Sequence, residues 1–170
     1  GKKVLNLFSY TCAFSVAAVA GGAEYVVNID MKRNFLNLGR ENHLCNNLAI
    51  DSVQFYAWNV FHSWSKIRRN SPYDIVIMDP PTRQHLSCVV EKDYPRMVRR
   101  LPLFLRPGGD LLACLNAPHL DYAFLEDLIQ SECPSCEPQE YLLRPAGFFE
   151  DEPQKGLKVI HFCYKPPPRS

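Results

Sequence analysis

Glycine is scarce where an α/β chain would most use it. The 170 residues include eight glycines, and none falls in Phe8–Cys12, the turn between the first apolar strand pattern and the first helical one. A G-x-G-x-x-G fingerprint is missing, which counts against a nicotinamide-dependent dehydrogenase. No apolar run approaches the roughly 18 residues of a membrane-spanning helix, so no membrane partner is expected. Excess charge of one sign is also missing, with 19 Lys and Arg against 18 Asp and Glu and a formal net charge of +1. Global charge therefore does not announce a nucleic-acid partner. Such a contact would rest on a local patch, for which Arg68-Arg69 and Arg96, Arg99 and Arg100 are candidates. Those arginines read equally well as solvated helix faces. The seven cysteines are odd in number and scattered through apolar segments, which gives no disulfide framework. With no secretory signal, they predict a reducing, cytoplasmic setting and buried free thiols. Cys133-Pro-Ser-Cys136 has C-x-x-C spacing, but no second pair completes a zinc set, so no metal is expected.

What is present is a regular alternation of strand and helix. Val4–Phe8 reads as a strand, and Ala13–Ala20 as a helix stopped by Gly21-Gly22. Tyr25–Asp30 is an apolar strand ending in an acid. Residues 32–46 read as a helix with Phe35, Leu38 and Cys45 on one face. Val53–Ala57 is a strand, Val60–Arg69 a helix, and Tyr73–Met78 a buried strand that runs into Asp79-Pro80-Pro81. A helix follows with Tyr94, Met97, Val98, Leu101 and Leu105 at helical spacing, and Pro102 predicts a kink or break in it. Pro107-Gly108-Gly109 turns the chain into the strand Leu111–Leu115. Leu120–Ser131 is an amphipathic helix. Strands Glu140–Arg144 and Leu157–Tyr164 close the pattern around an acidic, turn-rich Phe148–Gln154. Successive βα units predict a doubly wound, mostly parallel α/β sheet of seven strands. The last two strands, joined without a crossover helix, form an antiparallel C-terminal pair. One domain is expected over residues 1–165, with a proline-rich tail over 166–170. Its abrupt start on a strand reads as the excised core of a longer protein.

Ligands of such sheets sit beyond the carboxyl ends of the strands. Those ends carry Phe8, Ser9, Tyr10, Thr11 and Cys12 after the first strand, and Asp30 after the second. Asn59 follows the third, Asp79-Pro80-Pro81-Thr82 the fourth, and Asn116 the fifth. Asp30 suits vicinal ribose hydroxyls, with a helix cap as the lesser reading. Asn59 and Asn116 suit base recognition or ordinary turns. The two prolines present carbonyl oxygens without N–H donors, which fits a partner that donates hydrogen bonds, or a strand terminator.

V-L-N-L-F-S-Y-T-x-A-F-S, V-x-x-I-D-M, I-V-I-M-D-P-P-T and F-L-R-P-G-G-D-L-L-A together resemble class I S-adenosylmethionine-dependent methyltransferases. More narrowly, they are similar to the catalytic domain of bacterial large-subunit ribosomal-RNA methyltransferases of the cytosine-C5 or guanine-N7 type. The resemblance runs from Val4 to Tyr164. It implies a Rossmann-like methyltransferase fold, S-adenosylmethionine as cofactor and RNA as partner. Phe8, Ser9, Tyr10, Thr11 and Cys12 would wrap the methionine part of the cofactor. Asp30 would hold the ribose, Met31 would lie on the adenine, and Asn59 with Val60 would meet its edge. Asp79, Pro80 and Pro81 would border the reacting base as catalytic residues. Thr82, Tyr94 and Asn116 would bind substrate, with Tyr94 or Phe148 stacking an extruded base. Cys114, two residues before Asn116 and on the same side of the strand, is not excluded as a nucleophile by direction, but its apolar neighbours favour a buried thiol. Two positions depart from the family pattern: Cys12 replaces a usual glycine and Asn59 a usual aspartate. They leave room for another reading, a non-catalytic methyltransferase fold retained for RNA or protein binding.

Overall fold

The computed structural model describes residues 1–84, 88–143, 152 and 155–168. Its central sheet grows from runs too apolar to face water. Val4, Leu5 and Leu7 of β1 (Lys3–Leu7) and Val76, Ile77 and Met78 of β4 (Tyr73–Met78) are all buried. Between these two strands lie α1 (Ala13–Ala20), β2 (Tyr25–Asp30), α2 (Arg33–Cys45), β3 (Val53–Ala57) and α3 (Trp64–Arg68). After β4 come a two-stranded hairpin, β5 (Arg83–Gln84) and β6 (Cys88–Val89), and the short helices α4 (Val90–Val98) and α5 (Leu101–Phe104). The chain closes with β7 (Leu105–Leu115), α6 (Tyr122–Glu132), β8 (Cys136–Tyr141) and β9 (Lys158–Tyr164).

The seven-stranded sheet has the order β3-β2-β1-β4-β7-β9-β8. β1 pairs in parallel with β2 and β4, β2 with β3, and β4 with β7. Only β9 runs against its neighbours β7 and β8. The predicted doubly wound sheet with its antiparallel C-terminal pair is therefore the observed one. Strand order reverses between β1 and β4, and Leu7 faces Met78 across that join. The crevice rule places a ligand directly beyond these two residues. Among the described residues, no helix is long and apolar enough to cross a membrane.

The structure corrects several element boundaries. α2 buries Leu36, Gly39 and His43, while Leu38 and Cys45 of the predicted stripe are exposed and Phe35 is half-buried. A glycine and a histidine carry no weight in a hydrophobic-periodicity count, so that count selects a neighbouring stripe. The predicted helix over Val60–Arg69 is a 3-10 turn (Val60–His62) followed by α3, separated by the non-helical Ser63. The predicted break near Pro102 occurs just ahead of it, and that proline sits in the first turn of α5, where its missing N–H costs nothing. β7 starts at Leu105 instead of after the glycines. Pro107-Gly108-Gly109 is a bulge within it, with Gly108 at φ 74. β8 occupies Cys136–Tyr141, earlier than the predicted Glu140–Arg144. As an edge strand it is mostly exposed, so apolar content points past it. Arg144 and Phe148 lie outside the described residues.

Candidate active site

The turn after β1 winds without glycine through three left-handed residues, Phe8 (φ 58), Tyr10 (φ 46) and Cys12 (φ 61). Each such residue strains an L-amino acid, so the surroundings must hold the loop in shape. Three hydrogen bonds do so. Ser9 N–H donates to Ile29 O at 3.0 Å, Cys12 N–H to Ser9 O at 2.7 Å, and Tyr10 N–H to Asp30 Oδ2 at 3.0 Å. Cys12 is fully buried at the N-cap of α1, and burial pushes its thiol up to about 11. Its neighbour is Gly39 of α2, where an added Cβ would come within 2.4 Å of Cys12 Sγ and 2.9 Å of Cys12 Cβ. Cys12 therefore occupies the space that a side chain at position 39 would need.

Asp30 links two loops at once. Its second oxygen, Oδ1, accepts from Lys32 N–H at 2.9 Å. That contact is to the residue ahead of α2, whose N-cap Lys32 has no side-chain cap, so Asp30 does not act as a helix cap. It faces a cavity of about 380 Å³ lined by Phe8, Tyr10, Asp30, Lys32, Phe35, Asp79, Pro80, Pro81 and Asn116. The cavity opens at the carboxyl ends of β1, β2, β4 and β7, the place that the strand order selects. All of these except Lys32 and Phe35 were expected in the site from sequence. Ser9, Thr11, Cys12, Met31, Asn59, Val60, Thr82 and Tyr94 stand outside its described lining. Met31 is solvent-exposed, and Val60 is buried. Asn59 caps the 3-10 turn, its Oδ1 accepting from Phe61 N–H at 2.9 Å. The Tyr10 and Phe35 rings meet edge to face at 4.5 Å, and Lys32 Nζ lies 4.9 Å from the Phe35 ring centre.

At the opposite wall, burial raises the Asp79 carboxyl above its ordinary value. Thr82 Oγ1 donates to Asn116 O, tying the segment after β4 to the end of β7. Tyr94 makes the same tie from beneath. It is fully buried, and its hydroxyl donates to Cys114 O at 3.1 Å and Met78 O at 3.4 Å. The expectation that Tyr94 stacks on substrate is thus corrected, because no ring face is left for a base. Cys114 is also fully buried, and burial followed by the nearby Asp79 charge raises its thiol far from ionisation, as suits an inert core cysteine. Lys158 Nζ, buried at the start of β9, donates to Ala117 O at 2.9 Å just beyond Asn116.

Beneath the first wall runs a buried polar chain that sequence reading missed. Asn6 Nδ2 donates to Asn28 Oδ1, and Asn28 Nδ2 donates to Ser15 Oγ, both at 2.9 Å. Ser15 Oγ meets His43 Nε2 at 2.9 Å, and His43 Nδ1 meets Gly39 O at 2.7 Å. A carbonyl can only accept, so His43 Nδ1 carries the hydrogen. In a neutral ring Nε2 then accepts from the Ser15 hydroxyl. Every donor points the same way, from β1 through β2 and α1 into α2. The available signal was a pair of asparagines inside two apolar strands, which parallel register sets side by side. Asn6 Oδ1 and Ser9 Oγ are buried without a hydrogen-bond partner among the described residues.

An acid after the second strand and an acid-proline-proline corner after the fourth, facing each other across the switch point, define a Rossmann-like small-molecule site. The particular assignment comes from sequence comparison. Residues 1–163 match the family described as S-adenosylmethionine-dependent methyltransferase, and the chain belongs to that family. The "Ribosomal RNA large subunit methyltransferase K/L" of Shewanella pealeana is 37% identical over 121 residues, covering 68% of this chain and 17% of its own length. The "Ribosomal RNA large subunit methyltransferase I" of Aeromonas hydrophila is 37% identical over 119 residues, covering 66% of this chain and 29% of its own. The protein SMU.776, classed as a methyltransferase and solved in complex with SAH, superposes with a TM-score of 0.87 at 32% identity. That match covers 96% of this chain and 45% of SMU.776. The chain thus spans less than half the length of each of these relatives.

Proposed function

We propose that residues 1–165 form the catalytic domain of a longer, cytoplasmic methyltransferase that modifies a base in RNA, with residues 166–170 as a tail. The observation that carries this reading is the cavity bounded by Asp30 on one side and Asp79, Pro80 and Asn116 on the other. It joins a cofactor half to a substrate half. The curated relatives named for large-subunit ribosomal RNA support the substrate class, and ribosomal RNA is the proposed target.

S-adenosylmethionine supplies an electrophilic methyl group on a sulfonium. Phe8, Tyr10 and Asp30, which line the cavity, are the residues proposed to hold it, with Ser9, Thr11, Met31 and Asn59 beside them and the buried Cys12 and Val60 supporting that surface from behind. The Asp30 carboxylate, braced by two backbone N–H groups, suits ribose hydroxyls as donors. Displacement at a methyl group needs little from the protein beyond placing the nucleophile in line. Asp79 and the Pro80 carbonyl accept N–H hydrogens from the base and so orient the nitrogen lone pair. As the nitrogen gains the methyl group it sheds a proton, and a carboxylate whose proton affinity is raised by burial is the nearby acceptor. With Cys114 buried and protonated, this wall favours a nitrogen over a carbon that would need a thiolate. Asn116 and Thr82 would meet the substrate at the rim.

A calorimetric titration with S-adenosylmethionine tests the cofactor half, and no binding at millimolar cofactor would sink the reading. Transfer of labelled methyl to ribosomal RNA tests the substrate half.

A further inference from the structure

Away from the methylation cavity lies a second hollow, of about 280 Å³, lined by Trp64 of α3 and by Arg96, Arg99 and Arg100 at the C-terminal end of α4. Three guanidinium groups around one indole ring are more than a helix terminus needs. Basic residues at the end of a helix offset its dipole, but that role asks nothing of the shape they enclose. Here the arginines are arranged on aromatic faces. The Arg96 guanidinium lies 4.7 Å from the Phe61 ring centre and Arg100 lies 6.0 Å from that of Trp64. Arg96 is steadied by Asp93 and Arg99 by Glu132, each at 2.6 Å, while Arg100 has no carboxylate partner among the described residues. Arg68, one turn along α3 from Trp64, is also exposed and without a carboxylate partner among the described residues. The local balance is positive although the whole chain is at +1.

A short run of rings joins this hollow to the methylation cavity. Phe8 lines that cavity, and its ring centre lies 6.1 Å from that of Phe61. Phe61 in turn meets Trp64 at 5.8 Å and carries Arg96 on its face. The two hollows lie toward different ends of the sheet: α4 leaves the carboxyl end of β4, and its arginines stand just before Leu105, which pairs with Tyr73 at the start of β4. Only an RNA long enough to span both could fill them together.

We propose that the Trp64–Arg96–Arg99–Arg100 hollow is a docking site for the phosphate backbone of RNA at a distance from the modified nucleotide. This rests on the RNA reading above. The ligand class follows from the donors. Guanidinium forks match phosphate oxygens, and an indole between them offers a stacking face to an unpaired base. An acidic protein would match the charge but would have less use for Trp64.

The test is binding of a fluorescently labelled single-stranded oligoribonucleotide to the chain across a salt series. The variant is R99Q/R100Q, whose positions lie on the surface and outside the methylation cavity. Lys165→Gln, an exposed cation near the C-terminus, serves as a control for net charge. The double variant should bind RNA about ten-fold more weakly, and its log–log salt slope should fall by about 0.7 for each phosphate no longer neutralised. The control should change neither, and S-adenosylmethionine affinity should be unchanged in all three proteins. The proposal is overturned if wild-type chain does not bind RNA at low salt or if the control weakens as much as the double variant. It is equally overturned if polyglutamate competes as well as unlabelled RNA. None of these outcomes touches the cofactor titration, which decides the site reading separately.

Discussion

At the scale of single residues, Cys12 and Gly39 are one feature. The cysteine has taken the left-handed position at the start of α1, and the glycine has given up the Cβ that would collide with it. Gly39→Ala should cost about 1–3 kcal/mol of stability as an overpacking change. In a Cys12→Gly background most of that cost should vanish, because both clashing atoms are gone and Thr11 C, 3.4 Å from the added Cβ, is the nearest left. Urea unfolding of the four proteins in the cycle measures the coupling. Additive effects would mean that the two residues do not share space as described. Cys12 was legible in the sequence as an exception, but its partner was not, since nothing local links a turn to a helix interior 27 positions later. Asp79 is a second residue whose cost is visible. Its folded value is raised, so burial takes nothing from stability while the acid is protonated and takes more as pH rises through the raised value. Asp79→Asn should therefore unfold at higher denaturant than wild type at neutral pH. The gap should narrow as pH falls toward the ordinary value of 3.8. The same variant should lose about 100-fold or more in methyl transfer. A variant no more stable than wild type at neutral pH would contradict the burial argument.

At the scale of elements, the loop that holds three left-handed residues depends on what lies under it. β1, β2, α1 and α2 are fastened by the one-way hydrogen-bond chain from Asn6 to Gly39 O, and Asn42 Nδ2 adds a bond to Thr11 O at 2.9 Å. Ser15 is its centre, both accepting and donating. Ser15→Ala leaves a donor on Asn28 and an acceptor on His43 without partners in a dry interior, at a cost of about 2–4 kcal/mol. Cofactor binding should weaken with it, because the turn above is no longer braced. Chemical unfolding and a cofactor titration on the same variant check both. A stable variant with weakened binding would still implicate the relay, whereas intact binding would show that the turn holds its own shape. Elements were the most legible level of this chain: α1, β2, β3 and β4 begin and end where the sequence places them. The misses share a cause. α2 turns a glycine and a histidine inward to serve the relay, and β8 is an edge strand whose exposed side chains follow solvent instead of the core.

At the scale of the whole molecule, the sheet brings together residues that the sequence keeps far apart. Alternating apolar strands were enough to predict a parallel, doubly wound sheet. The strand-end rule put Asp30 and Asp79 at one site, but that they line one cavity across β1 follows from β1 lying between β2 and β4, which strand patterns alone do not give. This arrangement makes the proposed cofactor site a joint between the two halves of the fold, so occupancy should stabilise the entire domain. At one hundred times its dissociation constant, a ligand that binds only the folded state adds about 2.7 kcal/mol. For a chain of this size that corresponds to a rise of roughly 5–10 °C in the unfolding midpoint. S-adenosylhomocysteine should produce this rise in wild-type chain, monitored by circular dichroism against ligand concentration. Asp30→Ala should abolish it over the same range, having removed the carboxylate that faces the cavity and also ties Tyr10 N–H to Lys32 N–H. Asp79→Asn should keep it, because Asp79 is proposed to belong to the substrate wall. If both variants lost the shift equally, the division of the cavity into cofactor and substrate halves would be wrong. If neither lost it, the ligand would be binding elsewhere on the fold.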